Sequence, residues 1–180
     1  MEPTQRTICE TMLKLMREKP MDKIKVTEVT ALAGISRSTF YSYYDSIYSV
    51  VQDIEDDFIA HFAEEKQVGL KRDEAMILQN FSYVRDNIET FDILSGPNGD
   101  PYFNVRLGNR LKRVFYKIAE EHHSQLTDTQ IAVICEFSRA GKMQAFHWWH
   151  DHKDEVSVKE IIEIISHIEQ VIDDMVLGKS

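Results

Sequence analysis

Breaks in this chain are few and clustered. Four prolines and seven glycines interrupt 180 residues, and between them run long windows whose apolar residues recur at helical rather than strand spacing. That pattern predicts an all-α fold. From Thr4 to Lys19, Ile8, Met12, Leu13, Leu15 and Met16 keep helical register until Pro20 stops it. From Ile47 to Lys66, Val50, Val51, Ile54, Phe58, Ile59 and Phe62 form one face and Asp53, Glu55, Asp56 and Asp57 another. Further helical windows run from Asp73 to Ile93, Pro101 to His123, Asp128 to Trp149 and Ser157 to Leu177, giving about eight or nine helices in all. The strongest turn cluster is Ser95 to Pro101.

Charge divides the chain unevenly. Residues 1–45 carry seven Lys/Arg and six Asp/Glu, while the rest carries fourteen and twenty-four, so the net −9 belongs to the larger C-terminal part. Only charges within about a Debye length, ~8 Å, act on a ligand, so acidity elsewhere leaves a small N-terminal face free to meet a polyanion. The hydrophobic fraction of 43% supports a packed core. No apolar run is long enough to span a bilayer and the N-terminus is polar, which predicts a cytoplasmic protein with no membrane partner. Cys9 and Cys135 lie in separate apolar-periodic windows without a CxxC spacing and read as reduced core residues.

Two short helical segments stand close together near the N-terminus. Thr27 is a good N-cap ahead of Val29, Ala31, Leu32 and Ala33, and Gly34 tolerates the left-handed stop. Ser36 then caps Arg37 to Tyr44. Two short helices joined by a glycine-containing turn are the sequence form of the helix-turn-helix, whose second helix enters the DNA major groove. Val26, Val29, Ala33, Ile35 and Phe40 can pack the pair together, leaving polar groups outside. Arg37 suits guanine N7 and O6, Thr39 suits a thymine methyl or a phosphate, and tyrosine hydroxyls suit phosphate oxygens. Phe40 reads as core and Tyr41 as DNA-facing; for Tyr43 and Tyr44 both readings stand.

The run Lys25-Val-Thr-Glu-Val-Thr-Ala-Leu-Ala-Gly-Ile-Ser-Arg-Ser-Thr-Phe-Tyr-Ser-Tyr-Tyr44 resembles the DNA-binding signature of TetR-family regulators. With Met16 to Ile24 before it, the resemblance covers about residues 4 to 60. It implies a three-helix reader over 1–46 and a C-terminal domain over 47–180 that dimerises and holds an inducer pocket, with 47–66 as connecting helix. Carried over by position, Thr27 would cap the second helix and touch phosphate, and Arg37, Ser38, Thr39, Tyr41 and Tyr43 would face DNA; with Lys25, Ser36 and Tyr44 they make up the expected DNA-binding set. Many relatives place a phosphate-binding lysine near the start of the fourth helix. Here that position is Ile47, so the contact is missing or supplied by Lys25. Leu94 to Phe103 resembles a C-terminal region common in regulators of Gram-positive bacteria.

Other constellations point to less. His147 and His150, within His147-Trp148-Trp149-His150-Asp151-His152, could share a helix face, but aromatic and imidazole side chains at a helix end read as an interface or packed cap, and no metal or other cofactor is expected. No nucleophile elbow, metalloprotease or phosphate-loop motif occurs, so no enzymatic activity is expected. The isoleucine-rich last window forms a stripe wide enough for pairing with a second copy, and Ile161, Ile165, Ile168, Ile172 and Trp148 are the expected dimer contacts. Phe81, Phe91, Tyr102, Phe103, Phe115 and Phe137 are the expected lining of an inducer pocket. The combined reading is a homodimeric, ligand-responsive repressor on a palindromic operator in double-stranded DNA, its small-molecule inducer unknown. The alternative is a protein-interaction module whose C-terminal domain docks a partner, with DNA binding secondary or lost.

Overall fold

A computed structural model of the chain describes residues 2–61 and 82–178. The regular elements among them are helical, with no strand: α1 (Pro3–Glu18), a 3-10 turn (Met21–Lys23), α2 (Val26–Ala33), α3 (Arg37–Tyr41), α4 (Ile47–Ala60), α5 (Ile88–Ser95), α6 (Phe103–Glu121), α7 (Asp128–Asp151) and α8 (Val158–Leu177). The expected continuation of α4 to Lys66 and the start of the window from Asp73 fall outside the described residues beyond residue 61 and before residue 82. None of the described helices is long and apolar enough to cross a membrane.

The chain divides into two compact units, Met1–Ala60 with Asn87–Val105, and His61–Asp86 with Arg106–Ser180. This differs from the expected boundary after residue 46. α4 stays with the first unit because α1 packs on both α2 and α4, and Val50, Val51 and Phe58 of α4 are buried, as are Ile8, Met12 and Met16 of α1. Residues 87–105 join that unit through aromatic packing: the Phe58 ring lies 5.8 Å from Phe91 and 5.9 Å from Phe103, whose centroids are 6.2 Å apart.

Local chemistry sets the breaks in the first unit. Pro3 opens α1 at a position whose missing N–H costs nothing. Gly34 ends α2 at φ +67°, a left-handed conformation that side chains bearing a Cβ rarely adopt. The N-cap of α2 is Lys25 rather than the expected Thr27, and helix begins at Val26. The reason is Glu28, whose carboxylate accepts the Lys25 backbone N–H at 3.0 Å and so fixes the first turn two residues earlier.

In the second unit, Phe115, Ala119, Ile131, Cys135, Ile172 and Val176 form one core across α6, α7 and α8. Thr127 caps α7, accepting from the Gln130 backbone while the Gln130 side chain accepts the Thr127 N–H at 2.8 Å. Between α7 and α8 the buried Glu169 carboxylate accepts from Ser138 Oγ at 2.6 Å and from Lys142 Nζ at 2.8 Å. A carboxylate only 2% exposed is tolerable because both bonds are charge-assisted.

Candidate nucleic-acid interface

The turn between α2 and α3 is closed by the Ile35 N–H donating to Thr30 at 3.0 Å. Ser36 then caps α3, its Oγ accepting the Thr39 N–H at 3.0 Å and lying 2.8 Å from both Ser38 Oγ and Thr39 Oγ1. Such a cap contributes about 1 kcal/mol. Phe40, fully buried, anchors the helix from beneath. Around that anchor the helical spacing turns Arg37, Ser38 and Tyr41 outward, all exposed, with Thr39 half-buried. Tyr41 stands edge-on to Phe40, centroids 5.5 Å apart, and keeps 48% of its surface exposed.

Of the expected DNA-binding set, Lys25, Thr27, Ser36, Arg37, Ser38 and Tyr41 are exposed. Ser36 is occupied as a cap, so its hydroxyl serves the helix first. Tyr43 is half-buried and its hydroxyl donates to Glu2 at 3.1 Å. Tyr44 leaves the set. It is 6% exposed, its hydroxyl donates to Asp53 at 2.5 Å and lies 3.2 Å from Cys9 Sγ. The Tyr44 N–H bonds the Phe40 carbonyl at 3.0 Å, which continues the helical turn and sends both rings to the same inner side.

The electrostatics follow this geometry. Burial, and then donation to the Asp53 carboxylate, push the Tyr44 phenol well above its usual range, so it stays protonated. Burial raises the Cys9 thiol to about 11, partly offset by its contact with Tyr44. On the exposed side, the Lys19 ammonium, followed by the Lys25 backbone N–H, holds the Glu28 carboxyl below the usual carboxylate range. Arg37 forms no ion pair among the described residues and is available to an external anion.

Ser46 caps α4 in reciprocal bonds with Ser49, at 3.0 Å and 3.1 Å. Ile47, the position where a lysine was expected in relatives, is half-buried. Beside it Tyr48 is 48% exposed, which the sequence pattern did not single out.

The expected dimer contacts separate into two faces. Ile161, Ile165 and Ile172 are buried at 7%, 5% and 7% exposure within their own subunit, so they are core. Ile168 and Trp148 are about half exposed, as are Ile164, Val171 and Met175 on α8, and Val133 and Phe137 on α7 are more exposed still. Val133, Phe137, Ile168, Val171 and Met175 border an open apolar groove of ≈ 450 Å³.

The expected pocket residues do not share one environment. Phe91 and Phe103 are packed with Phe58, Phe115 belongs to the core of the second unit, and Tyr102 and Phe137 are 67% and 71% exposed. Phe81 lies outside the described residues. In the histidine-tryptophan cluster, Trp149 is buried and donates Nε1–H to the Val156 carbonyl at 3.0 Å. Trp148 stacks on His152 at 4.3 Å outside. Among the described residues no three His, Cys, Asp or Glu side chains are grouped to hold a metal ion.

A TetR family model describing a transcriptional regulator C-terminal region matches residues 74–170, more than half of the chain. Similar solved structures include a TetR transcriptional regulator from Streptococcus agalactiae 2603V, 23% identical over 92% of both chains with a TM-score of 0.64. A TetR-family regulator from Streptomyces coelicolor is 18% identical, covering 100% of this chain and 84% of its own, with a TM-score of 0.60. The dihydroxyacetone kinase operon activator DhaS is 17% identical over 98% of this chain and 96% of its own, at 0.57. No curated protein matches the sequence significantly.

Proposed function

The chain belongs to the TetR family of transcriptional regulators, and from that premise we propose that it is a dimeric, ligand-responsive repressor reading a palindromic operator through α3. The observation that carries this reading is the outer face of α3, where a Ser36 cap and a buried Phe40 hold Arg37, Ser38 and Tyr41 rigidly toward solvent. Arg37 reads a guanine edge, and Tyr41 and Ser38 bind phosphate and sugar oxygens, fixing the register. Lys25 and Thr27, exposed at the start of α2, reach the flanking phosphates. Tyr48 adds a hydroxyl at the start of α4.

Dimerisation supplies the symmetry a palindrome needs. The exposed apolar face of α8, Ile164, Ile168, Val171 and Met175, repeats at intervals of four, three and four, which is one stripe of a helix. On α7, Val133, Phe137 and Trp148 flank exposed Ala140 and Gly141, and a Cβ added at Gly141 would meet nothing within 4 Å, leaving room for a second helix. Pairing α7 and α8 with their copies gives a four-helix interface. A palindromic operator asks the two copies of α3 to meet half-sites about one DNA turn apart, roughly 34 Å.

Repression is the proposed sign because a dimer seated in two grooves blocks transcription by occlusion alone. DhaS, named as an activator, has the same fold. An inducer acts by binding more tightly to a state in which the two copies of α3 do not match the operator spacing. Such a protein works in the cytoplasm, where the DNA is.

The test is a fluorescence-anisotropy titration of the duplex immediately upstream of the protein's own gene, with random duplex as competitor and Arg37→Ala and Tyr41→Ala as controls. Binding that is salt-sensitive, sequence-selective and lost in both variants is expected. Equal affinity for random duplex would refute operator reading.

A further inference from the structure

Every α-helix ends with carbonyls that lack an intrahelical donor. At the end of α1 one of these is satisfied from far along the chain. Asn98 Nδ2 donates to the Met16 carbonyl at 2.8 Å across 82 positions of sequence. The backbone carbonyl of the same Asn98 accepts the Met21 N–H at 2.9 Å. One residue therefore holds the chain on both sides of Pro20, where it leaves α1 and turns through Met21–Lys23 toward α2.

The segment that delivers Asn98 is itself fixed. Leu94 is fully buried, and Glu89 of α5 forms an ion pair with Arg17 on the last turn of α1. The loop then folds so tightly onto α5 that a Cβ at Gly99 would sit 2.1 Å from the Leu94 carbonyl oxygen, a backbone atom with nowhere to go. On the other side, α1 is the helix against which α2 rests, and Met12 and Met16 of α1 are fully buried. A loosened α1 terminus moves the support of the reading pair.

We propose that Asn98 is a positioning residue for DNA reading, which sets the direction in which the chain leaves α1 and so seats α2 and the Ser36-capped α3. This rests on the operator-reading assignment above. It gives residues 87–105 a hold on the chain that enters the reading helices, separate from the covalent link through α4.

Asn98→Asp is the sharp variant, since it keeps the shape but replaces the amide donor with an acceptor facing the Met16 carbonyl. Asn98→Ala removes the donor. Both leave the backbone bond to Met21 possible. Loss of one such bond is expected to raise amide exchange by about fivefold to tenfold from Met21 through α2 and α3 in the full-length protein. Affinity for the gene's own upstream duplex is expected to fall about tenfold, while affinity for random duplex, self-association and exchange protection of α7 and α8 stay unchanged. A merely structural role would lower both DNA affinities together with the folded fraction. Faster exchange confined to Met21, or unchanged exchange from 26 to 41, overturns the proposal. So does wild-type selectivity in both variants. Should the wild-type protein show no preference for its upstream duplex, operator reading has failed, and the spread of exchange into α2 and α3 alone decides the positioning role.

Discussion

On the proposed pairing of the exposed α8 stripe with its copy, Ile168→Glu is expected to convert the protein to monomers without unfolding it. Ile168 is 49% exposed in the isolated subunit, so roughly half its surface remains to be buried by a partner. Full burial of an isoleucine contributes about 1.5–3 kcal/mol, and half of that, counted once from each copy across a two-fold interface, gives ~2 kcal/mol. A glutamate at the same place also loses hydration, at an effective cost of several kcal/mol for a charge held in an apolar seam. Even if the carboxylate bends out to water and halves that penalty, the sum reaches ~4 kcal/mol, or about a thousandfold in the dimer dissociation constant. Sedimentation velocity across a concentration series reads the shift, and circular dichroism checks that helix content is kept. The internal control is Ile172→Glu. Its side chain is 7% exposed and belongs to the core with Phe115 and Ile131, so the same substitution there should lower the melting temperature sharply. A dimer of undiminished affinity in folded Ile168→Glu would refute the assignment of this face.

Three further outcomes follow from the described geometry. Ser36→Ala removes the acceptor of the Thr39 N–H and should cost about 1 kcal/mol, read as a lower denaturant midpoint for the first unit. Lys142→Met takes the ammonium from a carboxylate that is 2% exposed; because the lysine is itself 38% exposed, the loss should lie near ~2 kcal/mol, below the usual range for a buried pair, and Lys142→Met with Glu169→Met should recover much of it in thermal melts. Finally, the Cys9 thiol is raised by burial from 9.0 to about 11. A raised folded value means that the stability it confers is complete below pH 9 and is lost as pH climbs toward 11, so alkaline unfolding of the first unit should show a limb in that window that Cys9→Ala flattens.

The breaks were legible because each rests on one residue's own chemistry. Pro20 cannot extend a helix, Gly34 accepts a positive φ, and Ser36 offers an oxygen to a neighbouring N–H. Thr27 misled for the same local reason: it is a good cap in isolation, but Glu28 reaching back to Lys25 offers a better start. The tyrosines were harder. Tyr41 and Tyr44 have identical side chains, and composition gives both the same affinity for phosphate. Only spacing separates them, since Tyr44 lies one turn beyond the buried Phe40 and Tyr41 lies about 100° away.

The last helix shows the limit of periodicity more sharply. Ile161, Ile165, Ile172 and Val176 make one apolar stripe and Ile164, Ile168, Val171 and Met175 make another, both at helical intervals. A stripe says that a face is buried against something, not against what. Among the described residues α8 shares a core with α6 and α7, and the position of Glu169 decides which stripe takes it. Its carboxylate is held by Ser138 and Lys142 of α7, which rotates α8 so that the stripe around Ile165 and Ile172 turns inward and the stripe around Ile168 is left outside. A buried charge with so few permitted partners admits one rotation where two apolar stripes alone would admit two. On that reasoning the polar contact specifies the orientation of α8, and the exposed stripe around Ile168 is a consequence of it.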